Sequence, residues 1–186
     1  LDGLDLNQVL AQIDINALVT DFAVSESIYL PTVTLSLSVR DTNNLLEEFE
    51  ICGQEKVTVE LSRQDFEKKD KTRIKHVFYV TEYPVYGRNS SLVQAFKLRG
   101  ISEHAFNSKF MRISRALDGS ALELVKNILK DDLKIDEKLI EVGSKNLKTK
   151  NVKLIVPNMS PLDAIAWILR RTFDQNGAPF YCYEKF

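Results

Sequence analysis

The sequence has few of the residues that build metal sites, disulfide frameworks and thiol or imidazole active sites. Among its 186 residues are two cysteines and two histidines. Cys52 and Cys182 are far apart without a CxxC pair, and neither His76 nor His104 has a Cys, Asp or His at ligand spacing. The pattern argues against a structural zinc site or a disulfide framework. We therefore expect no metal and no cofactor, and we interpret both histidines as hydrogen-bonded structural residues.

The chain also lacks an excess of charge of either sign and any long apolar run. Lys and Arg number 25, Asp and Glu number 26, and the formal net charge is -1. Nucleic acids and anionic membranes attract clustered positive surfaces, so the composition gives no general reason to expect either partner. The lysine-rich stretch Lys145–Lys153 has no aromatic residue for base stacking, and we interpret it as a solvated hairpin. No apolar run approaches the roughly 20 residues of a membrane helix, so we expect no membrane anchor.

The motifs of the common enzyme classes are absent from the sequence. It contains no GxGxxG, GxxxxGK[ST], GxSxG or HExxH. The acidic pairs Asp131-Asp132 and Asp136-Glu137 flank a predicted helix end and a turn, where solvated charge is the usual explanation. We name no catalytic residue, and this elimination favours a protein that binds or assembles over an enzyme.

The first half of the chain is rich in alternating apolar and polar residues. In the stretch PTVTLSLSVRD, from Pro31 to Asp41, aliphatic residues alternate with hydroxyl residues. As a β-strand, this stretch has one aliphatic face and one hydroxyl face. The hydroxyl face consists of Thr32, Thr34, Ser36 and Ser38. Bulk water, a ligand and a water-filled channel built by several subunits are three candidate environments for it.

The alternation predicts an antiparallel β domain with short helices. The predicted strands are Ala17–Ser25, Tyr29–Arg40, Lys56–Arg63, Arg73–Tyr86 and Ser91–Gly100. The predicted helices of this half are Leu6–Gln12 and Asn43–Glu48.

After Arg115 the periodicity becomes helical. Ser120 and Glu123 form a capping box that predicts a helix over Ser120–Leu133. Its apolar stripe is predicted to contain Leu122, Val125, Leu129 and Leu133.

A second helix start is predicted at the sequence SPLD. Ser160 caps, Pro161 occupies the first turn and Asp163 reaches back, while Asn176-Gly177 is predicted to end the helix. Between the two helices, Leu139–Val142 and Val152–Val156 are predicted strands. The fold class is therefore α+β, with a β domain at 1–112 and a smaller mixed α/β domain at 113–186.

The position of Trp167 allows two interpretations. The predicted core face of the second helix contains Leu162, Ile165, Ala166, Leu169 and Phe173. Trp167 projects about 140° away from Leu162, beside Arg170 and Arg171. Either a second layer of the same domain covers Trp167, or Trp167, Arg170 and Arg171 form a subunit interface, where Trp and Arg are enriched.

Three segments resemble the central baseplate hub protein of contractile-tailed, T-even-like bacteriophages. They are LPTVTLSLSVRDTNNLLEEFEICGQEKVTVEL, FKLRGISEHAFNSKFMRISRALDGSALELVKNIL and VPNMSPLDAIAWILRRTFDQNGAPFYCYE. The resemblance spans Asn16 to Glu184, and the last segment carries the most weight.

The resemblance implies a tail-tube-like β-barrel domain followed by a mixed domain, in a homotrimer. In such hubs two tube-like domains per chain form a pseudo-sixfold ring between the tail tube and the central spike. This sequence contains one such domain, and we expect it to be a piece of a longer protein. Implied partners are the spike and tail-tube or baseplate proteins, in a virion assembled in the host cytoplasm. The residues Thr32, Thr34, Ser36 and Ser38 are then expected to face a lumen through which DNA passes without specific binding.

Two other functions remain open at the level of sequence. One is a β-barrel module that binds peptide or carbohydrate near Tyr79, Tyr83, Tyr86 and Arg88. The other is a tail-attached lysozyme-like hydrolase, for which the necessary acid and nucleophile are not identifiable.

Overall fold

The computed structural model describes residues 13–41, 45–48, 51, 53–62, 73–82, 85–88, 94–143 and 151–186. The strands are β1 (Val19–Ser27), β2 (Leu30–Asp41), β3 (Lys56–Ser62), β4 (Arg73–Val80), β5 (Val85–Arg88), β6 (Gln94–Ser102), β7 (Ala116–Ser120) and β8 (Asn151–Ile155). The α-helices are α1 (Leu45–Glu48), α2 (Glu103–Phe110), α3 (Ala121–Asn127) and α4 (Pro161–Leu169). The predicted α+β class is confirmed. The predicted helix Leu6–Gln12 lies outside the described residues.

A six-stranded antiparallel sheet contains the strands of the first half, in the order β1-β2-β6-β4-β3, with β5 also beside β6. Each predicted strand of this half is present, with ends shifted by a few residues. The predicted strand Arg73–Tyr86 is divided into β4 and β5. From Val80 to Val85 the chain advances five residues while the paired strand advances three, from Gly100 to Lys97, so the register shifts by two residues.

The described strands form a half-barrel and do not close into the predicted barrel. Among the described strands, β1 pairs only with β2 and β3 pairs only with β4. Antiparallel strands at such edges keep one row of backbone donors and acceptors unpaired within the sheet. The described part of the chain is therefore a half-barrel in which β1 and β3 are the edge strands at the two ends of the strand order.

The aliphatic side of β2 forms the centre of the first hydrophobic cluster. Val33, Leu35, Leu37 and Val39 are at most 5% exposed. They pack with large side chains of β4 and β6, notably Phe78 and Phe96. The alternation in the sequence therefore predicts the buried face of this strand correctly, because successive side chains of a strand point to opposite sides.

One glycine in the sheet permits close approach of two strands. A Cβ added to Gly100 would lie 2.9 Å from the carbonyl oxygen of Tyr79 and 3.4 Å from the Cβ of Phe78. Only a residue without a side chain allows β6 to pair with β4 at this distance.

The second hydrophobic cluster is built by the two-stranded β7–β8 sheet and the helices α3 and α4. The capping box of α3 is present: the Ser120 Oγ accepts a hydrogen bond from the Glu123 backbone N–H, and Glu123 accepts one from the Ser120 N–H. The helix continues through a π-helical turn over Ile128–Asp132, close to the predicted end.

The cap of α4 is only partly the predicted one. The Ser160 Oγ accepts a hydrogen bond from the Asp163 N–H at 3.3 Å. The carboxylate of Asp163 accepts a bond from the same hydroxyl at 2.6 Å, and not from the Ser160 N–H. The shorter Asp side chain thus interacts with the cap hydroxyl where a Glu would reach the backbone.

The predicted stripes of both helices are only partly the buried ones. Of the four residues predicted for the first stripe, Val125 and Leu133 are buried and Leu122 and Leu129 are half-buried, and Ala121, Leu124 and Ile128 are buried as well. In α4 the buried residues are Pro161, Ala164, Ile165 and Ile168, whereas the predicted Phe173 is 52% exposed. Both helices carry apolar residues on more than one side, so periodicity alone does not identify the side that other elements cover.

Two further predictions for the second half are wrong. Helix α4 ends at Leu169 rather than at Asn176-Gly177, because the Thr172 hydroxyl binds the Ile168 carbonyl and the chain then makes a turn in which Phe173 pairs with Pro179. The segment Leu139–Val142 is not a strand. The partner of β8 is instead β7, which precedes α3.

Candidate functional site

The hydroxyl row of β2 lies on the side of the sheet opposite the first hydrophobic cluster. Thr34 is exposed, and Thr32, Ser36 and Ser38 are half-buried. The Thr32 hydroxyl donates to the Val33 carbonyl at 3.4 Å. The structure thus places all four predicted residues on one polar face. That this face lines a lumen in an assembly remains a prediction.

Charged residues of both signs border the hydroxyl row. On the β6 side, Ser38 is opposite Lys97 and Ser36 is opposite Arg99, and on the β1 side Ser38 is opposite Asp21. Arg99 forms an exposed ion pair with Glu82 at 3.2 Å. The face therefore combines hydroxyls with charges that partly compensate one another, a feature that became visible only when the strand order was known.

Helix α2 covers one end of the same face. The Phe106 ring stacks on the Tyr79 ring with 4.4 Å between centroids and 8° between planes. Tyr79 belonged to the predicted ligand-binding tyrosines, and one of its ring faces is therefore occupied within the chain. The side chains of the other predicted ligand residues, Tyr83, Tyr86 and Arg88, lie outside the described part.

Two of the three predicted interface residues contact each other. The guanidinium of Arg171 lies over the Trp167 ring, 4.1 Å from its centroid, and donates to the Trp167 carbonyl at 3.0 Å. Trp167 is half-buried and packs against the second hydrophobic cluster. Arg170 is exposed and lies apart from this pair, at the edge of a groove.

The groove has a volume of about 440 Å³ and lies between the β1–β2 turn, helix α4 and the chain after Pro179. Aromatic and aliphatic side chains form most of its lining. Tyr29 and Tyr181 meet edge to face at its border, with 5.4 Å between ring centroids. The sequence indicates Arg170 but not the groove, because the β1–β2 turn that forms one wall is far from α4 in the chain.

A half-buried carboxylate joins the end of the chain to the large sheet. Glu184 accepts hydrogen bonds from the Ser102 hydroxyl and, at 3.3 Å, from the Val33 backbone N–H. Its Oε1 lies 3.5 Å from the His76 Nε2, and the two side chains are 18% and 20% exposed. The interpretation of His76 as a structural residue agrees with this contact.

The surroundings of Glu184 favour its charged form. Burial by itself raises the pKa of the carboxyl group. Hydrogen bonds from His76 and Ser102, with the charges of His76 and His104, outweigh that effect and hold the pKa below its ordinary value of 4.5. Burial and the charge of Glu184 raise the pKa of the Cys182 thiol above its ordinary value of 9.0. A thiol held in this way is a poor nucleophile.

The last residues of the chain alternate in burial without belonging to a sheet. Phe180, Cys182, Glu184 and Phe186 are half-buried, and the residues between them are exposed. The Phe186 ring packs beside those of His76 and Phe78, with centroids at 5.3 and 6.2 Å. The alternation in APFYCYEKF is the sequence signal that could have identified Glu184 as an inward-facing residue.

In the described ranges, no group of three or more His, Cys, Asp and Glu residues is arranged to hold a metal ion. Over the same residues, no helix is long and apolar enough to cross a membrane. Neither Cys52 nor most of the lysine-rich stretch Lys145–Lys153 lies within the described residues.

No protein-family model matches the chain, and no curated protein matches it. Among solved structures, a chain of the half-lidded Francisella PdpA–VgrG complex is similar at 18% sequence identity with a TM-score of 0.48. The similarity covers 87% of the present chain and 26% of that chain. The present chain thus spans about a quarter of the length of its structural neighbour. At this score the likeness is coarse and establishes no function.

Proposed function

We propose that this chain is a structural virion protein, a baseplate hub subunit that forms a ring between the tail tube and the central spike, without enzymatic turnover. The resemblance of its three segments to the hub family supports this function. The observation that carries it is the division of the sheet into a buried aliphatic side and a side with a continuous row of hydroxyls.

Two edge strands of the sheet are the surfaces we propose for ring closure. One is β1, most of whose residues are exposed, and the other is β3. The two edges differ in sequence, so a contact between them would be heterologous, the kind that closes rings about a rotation axis. A homotrimer is the ring that the resemblance implies, with spike and tube or baseplate proteins as its neighbours.

The polar face suits the wall of a hydrated lumen. Hydroxyls stay wetted without holding phosphates tightly, whereas unbroken rows of Lys or Arg bind DNA through counterion release. Lys97 and Arg99 border the row, but Asp21 and Glu82 lie near them and limit the net positive charge. We therefore propose that DNA passes this surface without specific binding.

The mass of the chain in solution tests ring formation. We expect a trimer at micromolar concentration by analytical ultracentrifugation. The variant Ala23→Lys places a charge on the β1 edge and should shift the mass toward the monomer, as lysines on edge strands oppose strand pairing. The matched control, Asn127→Lys, adds the same charge at the exposed end of α3 and should leave the mass unchanged.

A folded chain that remains monomeric at micromolar concentration would contradict ring formation. A map of the assembled ring tests the lumen separately. Thr34 and Ser36 should face the central channel, and their location on the outer wall would refute that part of the proposal.

A ligand-binding module is the alternative function. The tyrosine site predicted from the sequence has less support, since Phe106 occupies one face of the Tyr79 ring. Binding of the chain to a glycan array through Tyr79, abolished by Tyr79→Ala, would favour the alternative over the hub.

A further inference from the structure

The turn between β1 and β2 is made of large apolar residues. Ser27 pairs with Leu30, so Ile28 and Tyr29 alone form the loop. Two-residue hairpin loops commonly contain Gly, Asn or Asp at positive φ, but neither Ile28 nor Tyr29 has a positive φ. Here Ile28 is 50% exposed, Tyr29 71% and Leu30 56%. The turn chemistry does not explain these residues, and burial within the chain does not explain them either.

The exposed turn continues into other exposed apolar side chains around the groove. Phe173 and Tyr181 also line it, and each is 52% exposed. Contiguous exposed apolar surface on a protein commonly marks a site of interaction. Aromatic residues and arginine are the residue types that contribute most of the energy in protein interfaces.

Arg170 supplies the charge of the groove. It is the one charged residue among the described residues that line it. Its side chain has no ion pair or hydrogen bond within the described ranges. The next acidic residue along the chain, Asp174, is engaged in its own turn, where it accepts from the N–H groups of Asn176 at 2.8 Å and Ala178 at 2.7 Å. Among the described residues, no carboxylate pairs with Arg170, so its guanidinium is available for a carboxylate of a binding partner.

We infer that this groove binds an extended segment of a partner protein that presents an aromatic or aliphatic side chain next to an Asp or Glu. The apolar side chain enters between Tyr29, Phe173 and Leu169, and the carboxylate pairs with the guanidinium of Arg170. A volume of about 440 Å³ lies in the range of natural ligand pockets. The inference does not depend on the ring, since none of its residues lies on β3 or on the hydroxyl row.

An array of synthetic peptides tests the inference. Each peptide carries Phe, Leu, Tyr or Trp beside Asp, Asn or Lys in an otherwise constant polar sequence. We expect the chain to bind Asp peptides about tenfold more tightly than Asn peptides, because a partly desolvated charge pair is replaced by a neutral one. Lys peptides should not bind.

Charge reversal supplies the decisive comparison. The Arg170→Glu variant should no longer bind the Asp peptides and should bind the Lys peptides. Arg40→Glu makes the same change at an exposed arginine of β2 and should keep the original preference. Phe173→Ser should weaken all peptides, and its thermal unfolding should match that of the parent chain because the side chain is already half exposed.

Three outcomes overturn the inference. They are the absence of binding by any peptide, equal binding of Asp, Asn and Lys peptides, and an unchanged preference in a folded Arg170→Glu variant. Self-association of the parent chain that Arg170→Glu abolishes would identify a second copy as the occupant and would also overturn it. Loss of the trimer with retained peptide binding would refute the ring and leave this inference standing.

Discussion

The carboxylate of Glu184 lies 3.5 Å from the imidazole of His76. This contact connects the chain after Pro179 to the large sheet. The same carboxylate accepts from Ser102 and from the backbone of Val33. Because Cys182 packs on the second hydrophobic cluster and Phe186 on the first, the segment between them bridges the two clusters. The stability of that bridge is open to direct measurement.

Replacing Glu184 by Ala should destabilise the chain by about 2 kcal/mol, because the Ser102 hydroxyl and the Val33 N–H lose their acceptor in a largely buried place. Glu184→Gln keeps a hydrogen-bond acceptor and should lower the free energy of unfolding by less. Urea unfolding measures both variants. Glu141→Gln is the matched control, since it removes the exposed ion pair of the neighbouring Lys185 and should leave the midpoint unchanged. Equal unfolding curves for Glu184→Ala and the parent chain would show that the contact contributes nothing.

The contribution of Glu184 should depend on pH. Its pKa is below 4.5 in the folded chain and near 4.5 in the unfolded chain, so the unfolded state binds more protons in the interval between the two values. The stabilisation is therefore complete above 4.5 and is lost as the pH falls through the lowered folded pKa. The difference in unfolding free energy between the parent and Glu184→Gln should be constant above pH 4.5 and should shrink as the pH falls below that value. A difference that grows on acidification would contradict this sign.

Gly100→Ala should destabilise the sheet by about 1–3 kcal/mol, since the new Cβ would lie 2.9 Å from the Tyr79 carbonyl and the strands must shift apart. Gly143→Ala is the control, because no atom lies within 4 Å of its added Cβ. That variant should stay within about 0.5 kcal/mol of the parent in chemical denaturation. If the two alanines have the same effect, close strand approach at Gly100 is not required.

Trp167→Ala should weaken assembly more than it weakens folding of the monomer, if Trp167 belongs to a subunit interface as the sequence suggests. Ile168→Ala, at a fully buried neighbour, should instead lower the free energy of unfolding by about 2–5 kcal/mol. Ultracentrifugation and calorimetry of both variants separate the two effects. Loss of cooperative unfolding in the Trp167 variant alone would reject the interface, and would agree with its packing on the second cluster.

The strands of the sheet were predictable because the signal is local. In β2 the side chain of each residue faces opposite to the next, so the order of Val33, Thr34 and Leu35 already states which side is apolar. The capping box at Ser120 and Glu123 was predictable for the same reason, since its partners are three residues apart. The end of α4 was missed because the competing interactions, including the pairing of Phe173 with Pro179, involve residues beyond the helix.

The candidate site was predictable only in part. The hydroxyl row and Arg170 are visible in the sequence, whereas the charges beside the row depend on β6 lying next to β2. The groove depends on the β1–β2 turn meeting α4. The domain boundary near residue 112, the lumen and the interface remain predictions.

The sequence by itself determined the alternating strands, the helix starts and the absence of common catalytic motifs. Each of these depends only on residues that are close together in the chain. Only the tertiary structure decided the edge strands of the sheet, the buried sides of the helices, the bonds of Glu184 and the groove beside Arg170. These features join residues that are distant in the chain, and packing selects among many sterically allowed pairings of such residues with no local signal to specify which one forms.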